Sequence, residues 1–548
     1  MPDLSIQLEA PNGVKYTQPT GLFINNEFVK SSTGETIESI DPAYAHTPHP
    51  RRRQQHKRTL LTDTNRSTEQ KIASVQAASE EDVDRAVKAA HAALRHESWK
   101  GISATDRGAL MYKFADLIEQ NKEVLATIDA WDNGMHPHSA LQTSSACPGM
   151  LTSKPGKTYA DALGGDLSEC VMVMRYYAGW ADKTFGQTIN TTPQKFAYTI
   201  RQPIGVVAQV IPWNYPLAMA TWKLGPALAC GNTVVLKAAE QTPLSILYLG
   251  NLIKEAGFPP GVVNFVNGLG RVAGSALVGH PLVDKVAFTG STATARAIMG
   301  QAAKTLKNIT LETGGKSPLL VFDDADIEQA VKWSHMGIMS NQGQICTATS
   351  RIVVQESIYD DFIKRFVETL KAVSKVGSQW DKDTYQGPQV SKVQYERVLE
   401  YIDIGKKEGA NVAAGGEPLK IGDKGKGFFV APTVFTNVTT KMRVWGEEIF
   451  GPVVVIASFK DEEDAIRLAN STDYGLGAAV FTQNVERSHR VAAEIEAGMV
   501  WVNSTQDSDP RVPFGGVKQS GIGRELGEAG LEAYSQIKAV HINMGTRL

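Results

Sequence analysis

Residues 206–240 read VVAQVIPWNYPLAMATWKLGPALACGNTVVLKAAE. Two short apolar runs stand out, at 206–211 and 233–236. The first breaks off into Pro212, Trp213, Asn214, Tyr215 and Pro216, the second into Lys237, Ala238, Ala239 and Glu240. Runs this short and this apolar fit strands buried on both faces. The pattern repeats downstream: 262–266 ends at Asn267 and Gly268, 283–288 at Thr289, Gly290, Ser291 and Thr292, and 308–311 at Glu312. A helix fits between, at 243–256. Strands alternating with helices predict an α/β fold with a parallel sheet. In such a sheet ligands sit at the carboxyl ends of the strands, so the polar residues just named mark the expected crevice.

A second αβ block follows, with strands expected at 318–322, 351–354, 432–435, 452–459, 476–481 and 498–503, and helices at 327–339 and 359–376. Upstream, 22–40 alternates as an edge hairpin turning at Ser32, Thr33 and Gly34. A strand at 71–75 leads to a helix capped by Ser79, with Asp82 three residues on. Two stretches have no clean period: 43–67, which is basic, and 135–156. Both read as poorly ordered inserts. The tail LEAYSQIKAVHINM ends in a strand that needs a sheet to join, as on another subunit.

With 548 residues the chain exceeds one ordinary core, so two or three domains are expected. A formal net charge of -2 leaves no electrostatic footprint for nucleic acid or an anionic membrane. No apolar run reaches membrane-spanning length, and MPDLSIQLEAPNG lacks the layout of a leader peptide. Cys147, Cys170, Cys230 and Cys346 show no disulfide framework. The spacing of His136, His138 and Cys147 matches no common metal site. A metal-free, cytoplasmic protein is the expectation.

Cys346 lies in IMSNQGQICTATS, residues 338–350, a polar loop containing glycine. On composition alone, an inert buried thiol fits it as well as a nucleophile does. Glu312, in LETGGK, adds a carboxyl in another glycine turn, and together they suit covalent catalysis with base-assisted release. Gly268, Gly270 and Gly274 resemble a dinucleotide fingerprint but lack its sixth-position glycine. Gly290 and Ser291 could open a helix toward a phosphate. Lys237 and Glu240 fit either a surface ion pair or a ribose site.

Seven stretches together carry a resemblance: PWNYP, LKAAEQTP, FTGST, LETGGKSP, NQGQICTATSR, EEIFGPV and PFGGVKQSGIGRELGEAGLEAY. In this order they resemble the aldehyde dehydrogenase superfamily, in particular its fungal cytosolic NAD(P)-dependent members. The resemblance implies an NAD-binding, Rossmann-like domain over 20–184 and 204–314. It implies a catalytic α/β domain over 315–515 and a small β oligomerisation unit from 185–203 and 531–544. It implies oxidation of an acetaldehyde-like substrate to its acid, with Cys346 as nucleophile, Glu312 as base for water, and Asn214 with the Cys346 N–H as oxyanion hole. NAD, with NADP as an option, falls to Ile211, Pro212, Trp213, Lys237, Glu240, Gly270, Phe288, Thr289, Gly290, Ser291, Glu448 and Phe450. The partners implied are an aldehyde, water and further copies of the chain as a dimer of dimers. A semialdehyde or acyl-reducing enzyme, or a non-catalytic member of the fold, are the alternatives. Where the family has glycine this chain has Ala295. The inserts interrupt two family motifs, as intron sequence carried into the protein would.

Overall fold

The structure, a computed structural model, describes residues 4–43, 71–134, 165–381, 383–421 and 427–548. The expected inserts, Ala43 apart, lie outside the described residues, as do His136, His138 and Cys147. Two large sheets organise the rest. The first has eight strands, in the order Gly521–Ile522, Asn308–Glu312, Lys285–Thr289, Val206–Val210, Thr233–Lys237, Val263–Val266, Leu22–Ile24 and Glu27–Val29. Its five central strands run parallel. Thr233–Lys237, Val263–Val266 and Lys285–Thr289 are buried throughout, as both-face burial demands.

The chain leaves Val206–Val210 for strands on one side, then returns to Lys285–Thr289 on the other. The order therefore reverses between these two neighbours, and a crevice opens at their carboxyl ends. The second sheet has seven strands, in the order Asn411–Ala414, Thr433–Thr436, Val453–Phe459, Arg351–Gln355, Pro318–Val321, Gly477–Phe481 and Met499–Val502. One apolar cluster includes Val207 and Ala287 of the first sheet and Leu319 and Val354 of the second, so the two share a core.

Two sequence expectations need correction. The N-terminal hairpin turns at Asn25 and Asn26, not at Ser32–Gly34. Both asparagines are left-handed, with φ of 57° and 62°, as a two-residue hairpin turn requires. Thr36–Ile40 pairs instead with Lys71–Gln76, while Ser31 and Ser32 are held by the Asp82 carboxylate. The terminal strand, Ser535–Asn543, pairs with Lys195–Pro203 of its own chain over nine positions. With Thr188–Thr192 it makes a separate three-stranded sheet.

Candidate active site

A cleft of about 1010 Å³, partly open to solvent, lies at the reversal point of the first sheet. Its wall includes Pro212, Trp213 and Asn214 from the end of one central strand, and Thr289, Gly290 and Ser291 from the end of the next. Glu312 ends a third strand. Cys346, Glu448 and Phe450 come from the second sheet's side. The structure thus gathers ten of the expected site residues around one space. Ile211 and Phe288 do not line it: they are 3% and 4% exposed and pack into apolar clusters, because strand alternation turns their side chains into the core. Lys237, Glu240 and Gly270 also lie outside the cleft wall. Lys237 is buried, with its ammonium 3.4 Å from the Glu240 carboxylate. This is not the fully solvated pair that sequence alone allowed. Gly270 opens the turn Gly270–Gly274, and Gly274 lies beside the Lys237 stem.

The glycines of LETGGK have specific work. A Cβ on Gly315 would fall 2.6 Å from the Cys346 carbonyl oxygen, and one on Gly314 would fall 2.2 Å from Glu448 Oε2. Only a backbone without side chains there lets the two loops close on each other. The Gly315 N–H donates to Glu448 Oε1 at 3.0 Å. A further segment clamps the turn: Thr313 Oγ1 donates to the Gln519 carbonyl and Ser520 Oγ to that of Gly314.

The cysteine loop is built differently. The helix Ile327–Met339 ends, and Asn341, Gln342 and Gly343 follow with φ of 45°, 55° and 69°. Asn341 and Gln342, left-handed without being glycine, store strain that surrounding contacts must hold. Those contacts are buried amides. Asn341 Nδ2 donates to the Asn214 carbonyl, and Asn214 Nδ2 to that of Gln344 at 3.0 Å. Asn133 Nδ2 donates to the carbonyls of Trp213 and Asn214. Past the cysteine, Gln506 and Thr347 are joined by reciprocal bonds. The 505–511 segment therefore braces the loop and contributes no residue to the described cleft wall.

Tyr215 and Trp222, expected at the substrate channel, do line the cleft, whereas sequence reading missed Ala218, Met219, Gln394 and Arg397. The buried helix Pro216–Ala229, opened by Pro216 at its first position, aims Ala218, Met219 and Trp222 at the cleft, with Tyr215 just before it. These are the i, i+3, i+4 and i+7 positions of one helical face. Lys223 points behind that wall, donating to Thr289 Oγ1 and Glu525 Oε1, both at 2.6 Å. Gln394 and Arg397 hold the carbonyls of Phe450 and Glu448. No periodicity singles out these polar residues; only the tertiary partner reveals them.

Burial pushes the Cys346 thiol well above its ordinary value, and Glu312 and Glu448 add to the shift. Burial likewise raises Glu312 well above the carboxylate range; Glu525 and Glu448 add to this and Lys223 opposes it. One Glu312 oxygen, Oε1, has no hydrogen-bond partner. Burial takes Glu448 to about 7, against the pull of the Gly315 N–H. A nucleophilic atom, an uncommitted carboxyl and an amide with a spare N–H share one space, which suits addition to a carbonyl followed by hydrolysis.

Comparison with known proteins agrees with this geometry. The sequence profile described as Aldehyde dehydrogenase family matches residues 52–152 and 138–540. An aldehyde dehydrogenase of Emericella nidulans is 50% identical over 549 residues, covering 100% of both chains. The aldehyde dehydrogenase [NAD(P)+] 1 of Saccharomyces cerevisiae is 46% identical over 550 residues, covering 99% of each. Among solved structures, the NAD+ complex of an aldehyde dehydrogenase from Bacillus cereus superposes with a TM-score of 0.85 at 46% identity, over 96% of this chain and 97% of that one.

Proposed function

The chain belongs to the aldehyde dehydrogenase family and is an NAD(P)-dependent enzyme that oxidises aldehydes; we propose that Cys346, Glu312 and Asn214 carry the reaction. The observation that supports this assignment is the meeting of the three, from distant parts of the chain, on the wall of one cleft. The Cys346 sulfur attacks the aldehyde carbon, and Glu312 takes the thiol proton. Negative charge then develops on the aldehyde oxygen. Asn214 Nδ2 has two N–H donors; Gln344 holds one, and the other, with the Cys346 backbone N–H, receives the oxyanion. The dinucleotide, when bound, supplies the hydride acceptor and a cationic ring that favours the anionic forms of Cys346 and Glu312. The acyl group remains on Cys346 as a thioester. Glu312 first loses the thiol proton to solvent; its carboxylate then deprotonates the water that hydrolyses the thioester, and the acid leaves as the proton returns to the Cys346 thiolate.

The residues fit a dinucleotide. The helix Thr292–Ala302 starts at the reversal point with Ser291 as its cap, where a phosphate is favoured. Glu448 is oriented toward the cleft by Gly315, placed to take nicotinamide-ribose hydroxyls, with Trp213 and Phe450 packed edge-on beside it. Glu240 beside Lys237 suits an adenosine ribose and favours NAD over NADP. The 20–184 and 204–314 part is assigned to the cofactor, 315–515 to catalysis, and 185–203 with 531–544 to self-association as a dimer of dimers. Exposed Ile189, Phe196, Ile200, Ile537 and Ile542 on the three-stranded sheet support that last assignment. No helix among the described residues is long and apolar enough to cross a membrane, and Cys170, Cys230 and Cys346 are free thiols, which suits the cytosol. Acetaldehyde is the simplest test substrate. NADH should form from NAD and acetaldehyde, and Cys346→Ala should abolish it; undiminished turnover in that variant would remove the assignment.

A further inference from the structure

Glu169 has no part in the chemistry above, yet it lines the same cleft. It comes from the helix Asp166–Trp180, which packs against the Tyr215–Trp222 face. Its side chain is buried, and Tyr215, Met219, Trp222 and Phe514 line the same cleft. The Trp222 indole N–H donates to Oε1 at 2.9 Å, and among the described residues this is the carboxylate's one hydrogen-bond partner. Among the described residues no Lys or Arg acts on it. The titratable group it acts on has the same sign: burial raises Asp166 well above the carboxylate range, and Glu169 and Asp129 add to the shift. A buried carboxylate without a cation is costly, and a ligand that brings one removes the cost. Aromatic walls around the same space add attraction for a positive group.

From this arrangement we infer that Glu169 sets substrate preference, selecting aldehydes that carry an ammonium group at the end away from the carbonyl. The inference rests on the reading that aldehydes are oxidised at Cys346 in this cleft. The aldehyde's tail would lie between Trp222, Tyr215 and Phe514 with its cation against Glu169. A carboxylate tail would meet a like charge in a dry wall and be rejected. Burial pushes Glu169 up to about 7, so near neutrality an arriving cation draws it to the anionic form.

The test compares 3-aminopropanal, butanal and succinic semialdehyde on the full-length enzyme with NAD. Wild type should favour 3-aminopropanal over butanal by about tenfold or more in kcat/KM, and butanal over succinic semialdehyde. Glu169→Gln keeps the Trp222 bond and the volume, and should bring the first ratio toward unity through KM. Glu169→Asp should keep part of the preference. If wild type oxidises all three without regard to charge, or Glu169→Gln scales all three equally, the inference is overturned while the Cys346 assignment stands. If wild type oxidises none of the three, the underlying reading falls and this one with it. Thermal melting of each variant separates loss of fold from loss of preference.

Discussion

The two loops that meet at the cleft reach their positions by opposite means. The Glu312 turn is relaxed backbone at a strand end, closed by the absence of side chains at Gly314 and Gly315 and tied by ordinary hydrogen bonds. The Cys346 loop is strained: Asn341, Gln342 and Gly343 are all left-handed, and a net of buried amides holds them. A carboxyl that must accept protons in one step and release them in another tolerates a plain setting. A nucleophile beside a fixed oxyanion site needs over-determined backbone, because the amide donors and the sulfur must keep one geometry.

The sharpest break of the comparison is chemical. Cys346→Ala should lower kcat/KM by on the order of 10^4-fold or more, since no bond to substrate forms. Glu312→Gln should leave acylation partly intact and lose about 10²–10⁴ in steady-state turnover, with a burst of NADH ahead of a slow phase. Rapid-mixing absorbance distinguishes the two. Loss of the amide should fall next: Asn214→Ala should cost about 10²–10³ in kcat, measured with acetaldehyde, without an equal rise in KM.

The glycines sharpen the comparison in stability. At Gly343 the φ is +69° and an added Cβ would stand 2.1 Å from the Gly451 carbonyl oxygen. Gly343→Ala should therefore destabilise by about 3 kcal/mol or more. At Gly315 the φ is not left-handed, and an added Cβ would meet the Cys346 carbonyl oxygen at 2.6 Å and the Leu476 Cβ at 3.2 Å. Gly315→Ala should cost about 1–3 kcal/mol, read by denaturant unfolding, but should lose more activity than its stability loss explains. A Gly343→Ala variant as stable as wild type would show that the strain assigned to the cysteine loop is absent.

The smallest effect is in pH. Cys346 and Glu312 both act as anions, and burial and neighbouring carboxylates raise both. The active fraction therefore grows as pH rises toward those raised values, so kcat/KM should climb through the neutral and alkaline range. In Glu312→Gln the limb that remains should belong to the thiol alone. A profile flat from neutral pH upward would contradict the electrostatics of the cleft.

How much was legible beforehand follows from the same physics. The central strands announced themselves because both-face burial leaves near-continuous apolar runs. The terminal strand was visible in the pattern, but its partner, more than 300 positions away, was named only through the family resemblance, because residue patterning carries no signal over that separation. The true N-terminal turn, Asn25–Asn26, was overshadowed by the Ser–Thr–Gly cluster, whose serines are in fact engaged by Asp82. Cys346 and Glu312 were singled out by their loops as a pair suited to covalent catalysis, while an inert thiol fitted as well until the family resemblance assigned the roles. The strain at Gln342 leaves no mark in composition, because glutamine does not signal a left-handed residue as asparagine or glycine does. Lys223, Glu525 and Glu169 were missed for a common reason: each charge is buried against a partner that only folding supplies.

The most direct test of the covalent route is to mix the Glu312→Gln variant with NAD and acetaldehyde, quench in acid, and map acylated peptides by mass spectrometry. An acetyl group on the peptide containing Cys346, formed only when NAD is present, is the predicted result. An unmodified Cys346 peptide, or an acetyl group on Cys170 or Cys230 in its place, would contradict it.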